Sequence, residues 1–254
     1  MLPILLPLIP KHRLYLEIFC GSATVFWNKQ PSTQEVVNDK DGRLINTLCA
    51  VKDNPAHLKK WLDLPSSREL YLRFQEEIET ETDPVKRAAM YLYLINNAWS
   101  GISKEGTPYV PKLRNHLPLK IDQIDWFCKR LRNVCIENLD FVEAIKKYDS
   151  PDTFVLADAP YRIVSDNLYK HSFTEEDHIR LAKSLAAMKG KFLLTYNKDP
   201  FIGLLYRKFP HFICETAKTM DRAHNNTKEK HLIIANYDIV QGNFIHFGGT
   251  YFVL

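Results

Sequence analysis

Short apolar runs and helical patterns alternate along the first part of the chain. Tyr15–Phe19 is an apolar run that stops at Gly21, and a helical pattern follows it. A second run, Glu35–Val37, leads into another helical pattern that begins near Asp41 and continues to Val51. The order strand, turn, helix, strand, helix indicates the opening of a parallel α/β sheet.

The rest of the chain predicts more of this sheet on either side of an insert. The pattern is helical from about Asn54 to Asn97, and Ser100–Lys120 is rich in glycine, proline and basic residues. We expect an α/β core in residues 1–53 and 134–254, with a helical and loop insert in residues 54–133. The later strands are predicted at Val134–Ile136, Thr153–Ala157, Lys191–Thr195 and His231–Asn236.

Composition restricts the class of protein less than the pattern does. The net charge of the 254 residues is +4, an excess too small to identify a nucleic-acid partner. Five widely spaced cysteines without a C-x-x-C pair, and nine scattered histidines, predict reduced thiols and no metal site. The apolar segment Met1–Pro10 has no basic region or cleavage site and is too short to span a membrane. We expect it to form a short buried helix in a cytoplasmic protein that does not bind membranes.

Three short stretches follow predicted strands, where open α/β sheets bind ligands. Phe19–Ala23 is a turn of small residues that lets backbone approach a ligand closely. Asp39 comes 18 residues after Gly21, a distance at which an acid commonly accepts hydrogen bonds from ribose hydroxyls. Asp158–Tyr161 combines a carboxylate, a bend and an aromatic ring, which suits recognition of an exocyclic amine. Taken singly, these stretches also fit an ordinary turn, a helix cap and a strand-ending turn.

In combination and in this order, the stretches resemble the D12 class of DNA N6-adenine methyltransferases, the family that includes the Dam enzymes. The resemblance extends from about Ile4 to Asp238. Glu17–Phe26 is similar to the family's cofactor loop, E-P-F-x-G-x-G-x-V-F, and Asp158–Tyr161 to its D-P-P-Y block. The other similar blocks are Val36–Asn46, Tyr91–Asn97 with Ser100–Gly101, Lys191–Asn197 and Leu232–Asp238.

The resemblance implies a Rossmann-like methyltransferase sheet, an inserted target-recognition region, and S-adenosylmethionine as cofactor. Asp39 would bind the ribose hydroxyls of the cofactor, and Asp158 would face its methionine amino group. The residues implied for the cofactor site are Glu17, Phe19, Gly21, Ala23, Asp39 and Asp158.

The family's chemistry, carried onto this chain, places the reaction at Asp158–Tyr161. The lone pair of adenine N6 is delocalised into the ring, so the amine is a poor nucleophile. Asp158 and the main-chain carbonyl of Ala159 would accept its two hydrogens and direct the lone pair towards the methyl donor. Pro160 would provide the bend, and Tyr161 would stack on an adenine flipped out of the duplex.

Two polar stretches are candidates for contact with double-stranded DNA. Lysine and arginine would bind phosphates, while asparagine and arginine can read base edges. Two solvated loops are the simpler alternative for both stretches. A phage or restriction–modification context is implied by the family alone. The candidate residues are Lys104, Lys112, Arg114 and His116 in the first stretch, and Arg222 and Asn225 in the second.

The sequence departs from the family at three places. Ala159 stands where the family has proline, and Ala23 replaces the second glycine of the cofactor loop. If Ala23 has a positive φ, its side chain costs about 1 kcal/mol. The chain also begins inside the helix that follows the family's G-G-K segment, so we expect either that one side of the cofactor pocket is open or that another segment covers it. From the proline lost at position 159 we expect reduced but measurable activity. The alternatives are a weakened or inactive relative that binds DNA or cofactor, and an enzyme that acts on RNA or on the amino group of a small molecule.

Overall fold

The computed structural model describes residues 1–98, 107–110, 121–162, 173–217 and 228–239. Within these ranges, two short 3-10 turns, Leu6–Leu8 and Ile121–Gln123, accompany the regular elements. The helices of these residues are α1 (Leu2–Leu5), α2 (Thr24–Asn28), α3 (Gly42–Asp53), α4 (Pro55–Leu62), α5 (Arg68–Glu77), α6 (Pro84–Asn97), α7 (Ile124–Leu131), α8 (Phe141–Tyr148), α9 (Glu175–Ala186) and α10 (Pro200–Leu205). The strands are β1 (Leu14–Glu17), β2 (Gln34–Asn38), β3 (Val134–Glu137), β4 (Thr153–Asp158), β5 (Lys191–Asn197), β6 (His211–Ala217) and β7 (Lys228–Ala235).

The described strands form one seven-stranded sheet in the order β3-β2-β1-β4-β5-β7-β6. Strand β1 pairs in parallel with β2 and β4, and β4 pairs in parallel with β5, whereas β7 is antiparallel to β5 and β6. The strand order reverses between β1 and β4, and ligands of open α/β sheets bind outside the carboxyl ends of the strands at such a switch point. The predicted fold class, a Rossmann-like α/β sheet, is confirmed, and the carboxyl edge of β1, β2 and β4 is the place to look for a site.

The contacts of the chain divide it into two compact units. Among the described residues, one unit comprises residues 1–40, 139–162 and those from 173 onward, and the other comprises residues 41–138. The sequence predicted a catalytic core and a recognition insert, with boundaries at residues 53 and 134. This division stays a prediction, because it assigns a function to each part and the two compact units describe packing alone. The first unit contains every described residue of the candidate site.

Each unit buries its own apolar core. In the first, strand residues such as Val155 and Leu194 pack with Leu181 of α9, all fully buried. In the second, Tyr71 of α5 packs with Met90 of α6. Full burial of side chains of this size contributes about 1.5–3 kcal/mol each, which is why the two-sided apolar runs of the central strands give buried strands.

The first ten residues form α1 and a 3-10 turn, with Leu5 only 2% exposed, which confirms the predicted short buried helix. No helix within the described residues is long and apolar enough to cross a membrane. The described residues also contain no group of three or more histidine, cysteine or acidic side chains able to hold a metal ion. All five cysteines are free thiols.

Candidate active site

The turn after β1 is tied to the end of β2. Gly21 has a φ of +46°, and its N–H donates to Oδ2 of Asp39 at 2.9 Å. Gly21 is exposed, and a Cβ built on it would meet no atom within 4 Å, so the space beside this turn is open. The small-residue turn and the acid that follows the second strand are therefore joined directly by a hydrogen bond.

Ala23 is the residue before α2, and its φ is +51°, the left-handed region that disfavours a Cβ. Its side chain is nevertheless buried, with 1% exposure. The φ of Ala23 is therefore positive, which is the condition for strain given in the sequence analysis. This conformation costs about 1–2 kcal/mol for a residue with a Cβ. This cost lies in the turn that the family builds with glycine.

We expect the Ala23→Gly variant to be nearly as stable as the parent chain, within about 0.8 kcal/mol. Relief of the left-handed strain, about 1–2 kcal/mol, offsets the lost burial of one methyl, about 0.8 kcal/mol, and the added freedom of the unfolded chain, about 0.4–1 kcal/mol. Ala144→Gly is the matched control because Ala144 is fully buried inside α8. The control should cost about 1.5–2 kcal/mol in urea denaturation, since no strain is relieved there. Equal losses in the two variants would refute the strain at Ala23.

Asn38, the last residue of β2, organises the same edge. Its side-chain amide donates to the carbonyl of Ile18 at 3.0 Å and to that of Leu139 at 3.2 Å, and its Oδ1 accepts from the N–H of Leu139 at 2.9 Å. Its own carbonyl accepts from the N–H of Cys20 at 2.9 Å. Asn38 is buried, so these bonds form away from competing water and fix the loop ends around the turn.

Phe19 contributes an aromatic surface beside the turn. Its ring lies 5.5 Å from the ring of Phe141 and 5.6 Å from that of Phe173, measured between centroids. The two partners are themselves 5.5 Å apart, so the three rings form one cluster. Phe19 is only half-buried, and part of its surface stays available to a ligand.

Glu17, predicted as a cofactor residue, lies beneath the turn. Its side chain is 2% exposed, and its Oε2 accepts a hydrogen bond from the hydroxyl of Tyr15 at 2.5 Å. It also accepts from the backbone N–H of Phe26, in the first turn of α2. Burial raises the pKa of Glu17 to about 8, with the nearby charge of Asp158 adding to the effect against the hydrogen bond from Tyr15. Glu17 thus supports α2 from inside the protein.

The raised pKa of Glu17 predicts a pH-dependent stability. Because the folded state holds a proton that the unfolded state releases above about pH 4.5, the free energy of unfolding falls as pH rises to about 8. A Glu17→Gln variant escapes this loss, so its stability relative to the parent should increase between pH 5 and 8 by up to about 1.4 kcal/mol per pH unit. Urea denaturation across this range measures the difference. Glu76→Gln is the control, because Glu76 is an exposed residue of α5. A flat difference would contradict the prediction.

Asp158 ends β4 at the carboxyl edge of the sheet. Its Oδ1 accepts a hydrogen bond from the hydroxyl of Thr195, the residue opposite it on β5. Burial raises the pKa of Asp158, although the hydrogen bond from Thr195 and the neighbouring His231 oppose the shift. The residue as a whole is nevertheless exposed. Asp158 therefore lies at the edge of the sheet, with its carboxyl group surrounded closely enough by protein to raise its pKa.

The residues after Asp158 turn away from the sheet. Ala159 is 2% exposed, and Pro160 and Tyr161 are half-buried. The hydroxyl of Tyr161 lies 3.1 Å from Nδ1 of His231. The next residue, Arg162, forms ion pairs with Glu175 and with Asp199, the latter at 3.3 Å. The predicted catalytic segment is therefore held at both of its ends by polar contacts.

The structure thus brings the described candidates together at one edge. Glu17, Phe19, Gly21, Ala23 and Asp39 belong to the ends of β1 and β2, and Asp158–Tyr161 to the end of neighbouring β4. The predicted DNA-binding residues lie outside the described residues; they are Lys104, Lys112, Arg114, His116, Arg222 and Asn225.

Sequence reasoning did not single out Thr195, His231 or Arg162. Thr195 and His231 stand inside predicted strands, but only the register of β4, β5 and β7 brings them to Asp158 and Tyr161. Arg162 directly follows the predicted Asp158–Tyr161 block. A charged residue at a strand-ending turn was the one sequence signal that could have indicated its ion pairs.

Strand order, switch point and edge site define the class of protein: a Rossmann-like α/β protein that binds its ligand at the carboxyl edge of the sheet. A family model described as D12 class N6 adenine-specific DNA methyltransferase matches residues 1–221. This chain belongs to that family. It is an S-adenosylmethionine-dependent DNA adenine methyltransferase, and S-adenosylmethionine is its cofactor.

Individual relatives agree with this assignment. The DNA adenine methylase of Escherichia coli (strain K12) is 26% identical over 189 residues, which cover 69% of this chain and 67% of that protein. That of Salmonella typhi is 26% identical over 204 residues, covering 74% and 73% of the two chains. The type II methyltransferase M.CviBI of Paramecium bursaria Chlorella virus NC1A is 28% identical over 111 residues, 42% of this chain and 43% of that one.

Proposed function

We propose that this chain methylates N6 of an adenine turned out of double-stranded DNA, and that the reaction takes place at Asp158. The observation that supports the proposal most directly is the position of the exposed residue Asp158 at the end of β4, at the switch point and next to the turn that joins Gly21 to Asp39. A cytoplasmic location belongs to the same proposal, because the DNA of a bacterial cell is found there.

The residues at the edge fit S-adenosylmethionine. The open space beside Gly21 allows a ligand to approach the backbone, and the carboxylate of Asp39 suits ribose hydroxyls as hydrogen-bond donors. The half-buried ring of Phe19 offers an apolar surface to an adenine ring. Glu17 contributes by holding the first turn of α2, and Ala23 by forming the strained start of that helix.

When bound, S-adenosylmethionine supplies a methyl group on a sulfonium, an electrophile that needs only an oriented nucleophile. Asp158 and the carbonyl of Ala159 accept the two hydrogens of N6, which biases the nitrogen towards tetrahedral geometry. The raised pKa of Asp158 means a more basic carboxylate and a better acceptor. Most of the rate gain comes from positioning, because no proton has to leave before the methyl group is transferred.

Pro160 and Tyr161 complete the site for the base. Pro160 directs the chain away from the sheet after the carboxylate, and Tyr161 presents an aromatic face on which a flipped adenine stacks. Base–aromatic stacking contributes about 1–3 kcal/mol, comparable with the few kcal/mol needed to unstack a base. Lys104, Lys112, Arg114, His116, Arg222 and Asn225 remain our proposed DNA contacts.

Sequencing that detects N6-methyladenine tests the proposal. The chain is expressed in cells whose own adenine methyltransferases have been deleted, and the DNA is read for modified adenines. We expect methylation at one recurrent sequence, which would also give the recognition site. A folded protein that binds S-adenosylhomocysteine but leaves the DNA unmodified would favour the inactive relative, and methylated RNA would move the substrate to another polymer.

A further inference from the structure

A buried histidine connects the ring of Tyr161 to the antiparallel part of the sheet. His231 lies on β7, opposite Asn197 of β5 and Cys214 of β6, and is 4% exposed. Its Nδ1 lies 3.1 Å from the hydroxyl of Tyr161, and its Nε2 lies 2.7 Å from the hydroxyl of Thr216 on β6. The chain of contacts thus runs from Thr216 through the imidazole to the tyrosine that ends the catalytic segment.

The chemistry of the three groups matches. A neutral imidazole has one donor and one acceptor nitrogen, and each hydroxyl can donate or accept, so either tautomer satisfies both bonds. Burial lowers the pKa of His231, which keeps the ring neutral near pH 7. The imidazole and phenol rings are tilted at 53° with centroids 6.2 Å apart, so the two rings meet through the hydroxyl and do not stack on each other.

The bond acts on where the ring of Tyr161 lies. Rotation of a tyrosine side chain about its Cα–Cβ bond moves the ring and its hydroxyl between staggered rotamers. A hydrogen bond between the hydroxyl and a partner fixed in a buried strand selects one of these rotamers and so fixes the place of the ring. Thr216 in turn fixes the imidazole, because a side chain held at both nitrogens cannot rotate without breaking a bond.

We propose that His231 is a positioning residue for methyl transfer, which holds the ring of Tyr161 at the place where it stacks on the flipped adenine. The inference rests on the proposed function, since it assigns His231 a role through Tyr161. His231 itself touches neither base nor cofactor in this proposal, and Thr216 acts one step further away.

Three variants of His231 separate positioning from packing. Leucine removes both polar contacts, asparagine restores a polar atom near the position of Nδ1, and glutamine restores one near that of Nε2. Transfer of tritiated methyl groups from S-adenosylmethionine to unmethylated DNA measures kcat and KM, and urea denaturation monitors folding. We expect kcat to fall about three- to tenfold for His231→Leu, the size of one lost hydrogen bond, with KM for S-adenosylmethionine within about twofold. His231→Asn should recover more kcat than His231→Gln.

The matched control is His211→Leu, because His211 is exposed at the start of β6 and its ring contacts the carbonyl of Phe209 at 2.9 Å. Its kcat should equal that of the parent chain. The inference is wrong, and His231 is a packing residue, if His231→Asn and His231→Leu have the same kcat. The same conclusion follows if the lower kcat of His231→Leu is fully explained by the fraction of the variant that is unfolded under the assay conditions.

A double-mutant cycle with Tyr161→Phe, which removes only the hydroxyl, tests the route of the effect. If His231 acts through that hydroxyl, Tyr161→Phe alone should lower kcat about three- to tenfold, and adding His231→Leu should change it by less than about twofold. Multiplicative losses would overturn the inference while leaving the proposed function intact. The proposed stacking role itself fails if Tyr161→Ala methylates DNA at the parent rate.

Discussion

An Asp158→Asn variant is expected to lose at least about 100-fold in kcat for adenine methylation, the usual cost of removing a preorganised charged acceptor. Asparagine keeps the shape of the side chain and one acceptor oxygen. It loses the negative charge that stabilises the amine as it becomes positive, and it points an NH₂ group at hydrogens it should accept. Initial rates of methyl transfer to unmethylated DNA measure the loss.

The same substitution should leave the fold intact or stabilise it. Burial raises the pKa of Asp158, so the native structure disfavours the ionised form, and a neutral side chain removes that cost. Asp152→Asn is the matched control, because Asp152 is exposed just before the other end of β4. A kcat within about threefold of the parent for Asp158→Asn would contradict the proposed role, whereas an unfolded variant would contradict the pKa argument.

Replacement of Asp39 should act on the cofactor. We expect Asp39→Ala to weaken binding of S-adenosylhomocysteine, measured by isothermal titration calorimetry, by about 10- to 100-fold, because hydrogen bonds to a charged group contribute about 1.5–3 kcal/mol. Alanine removes the acceptor for ribose hydroxyls and also the acceptor for the N–H of Gly21. Two losses therefore coincide in this variant.

Asp39→Asn separates the two losses. Its amide oxygen still accepts from the N–H of Gly21, so the turn stays closed, but the second acceptor and the charge are gone. We expect about tenfold weaker binding with an unchanged melting temperature. Asp63→Ala, at an exposed position after α4, should bind like the parent. Parent-like affinity in both Asp39 variants would remove Asp39 from the cofactor site.

The parallel half of the fold and the centre of the site were predictable from local pattern. Apolar runs that end in Gly21, Asp39 and Asp158 mark the carboxyl ends of three strands. Because parallel strands share one edge, residues far apart in the chain must meet there, and their spacing in the sequence is irrelevant. The site follows from where each strand ends, which local sequence reports well.

Other parts depend on contacts that local sequence does not carry. Strand β6 was not predicted, because its apolar and polar residues do not alternate and it is defined by pairing with β7. Thr195 and His231 look like other polar residues of their strands until the register is known. The φ of Ala23 was left open because an alanine does not mark a left-handed turn as a glycine does, and only the structure shows the positive φ.

The reversal of direction at β7 brings the first residues of this strand to the end of the sheet that carries Asp158. Since β7 runs against β5, its first residues, with His231 opposite Asn197, stand at the end of the sheet where Asp158 lies. Ala217 is the last residue of β6 and pairs with Lys228, the first residue of β7. Both residues therefore lie at the end of the sheet that carries Asp158. If Arg222 and Asn225 contact DNA as proposed, substitutions in the chain between Ala217 and Lys228 should change the sequence preference and leave the catalytic carboxylate untouched.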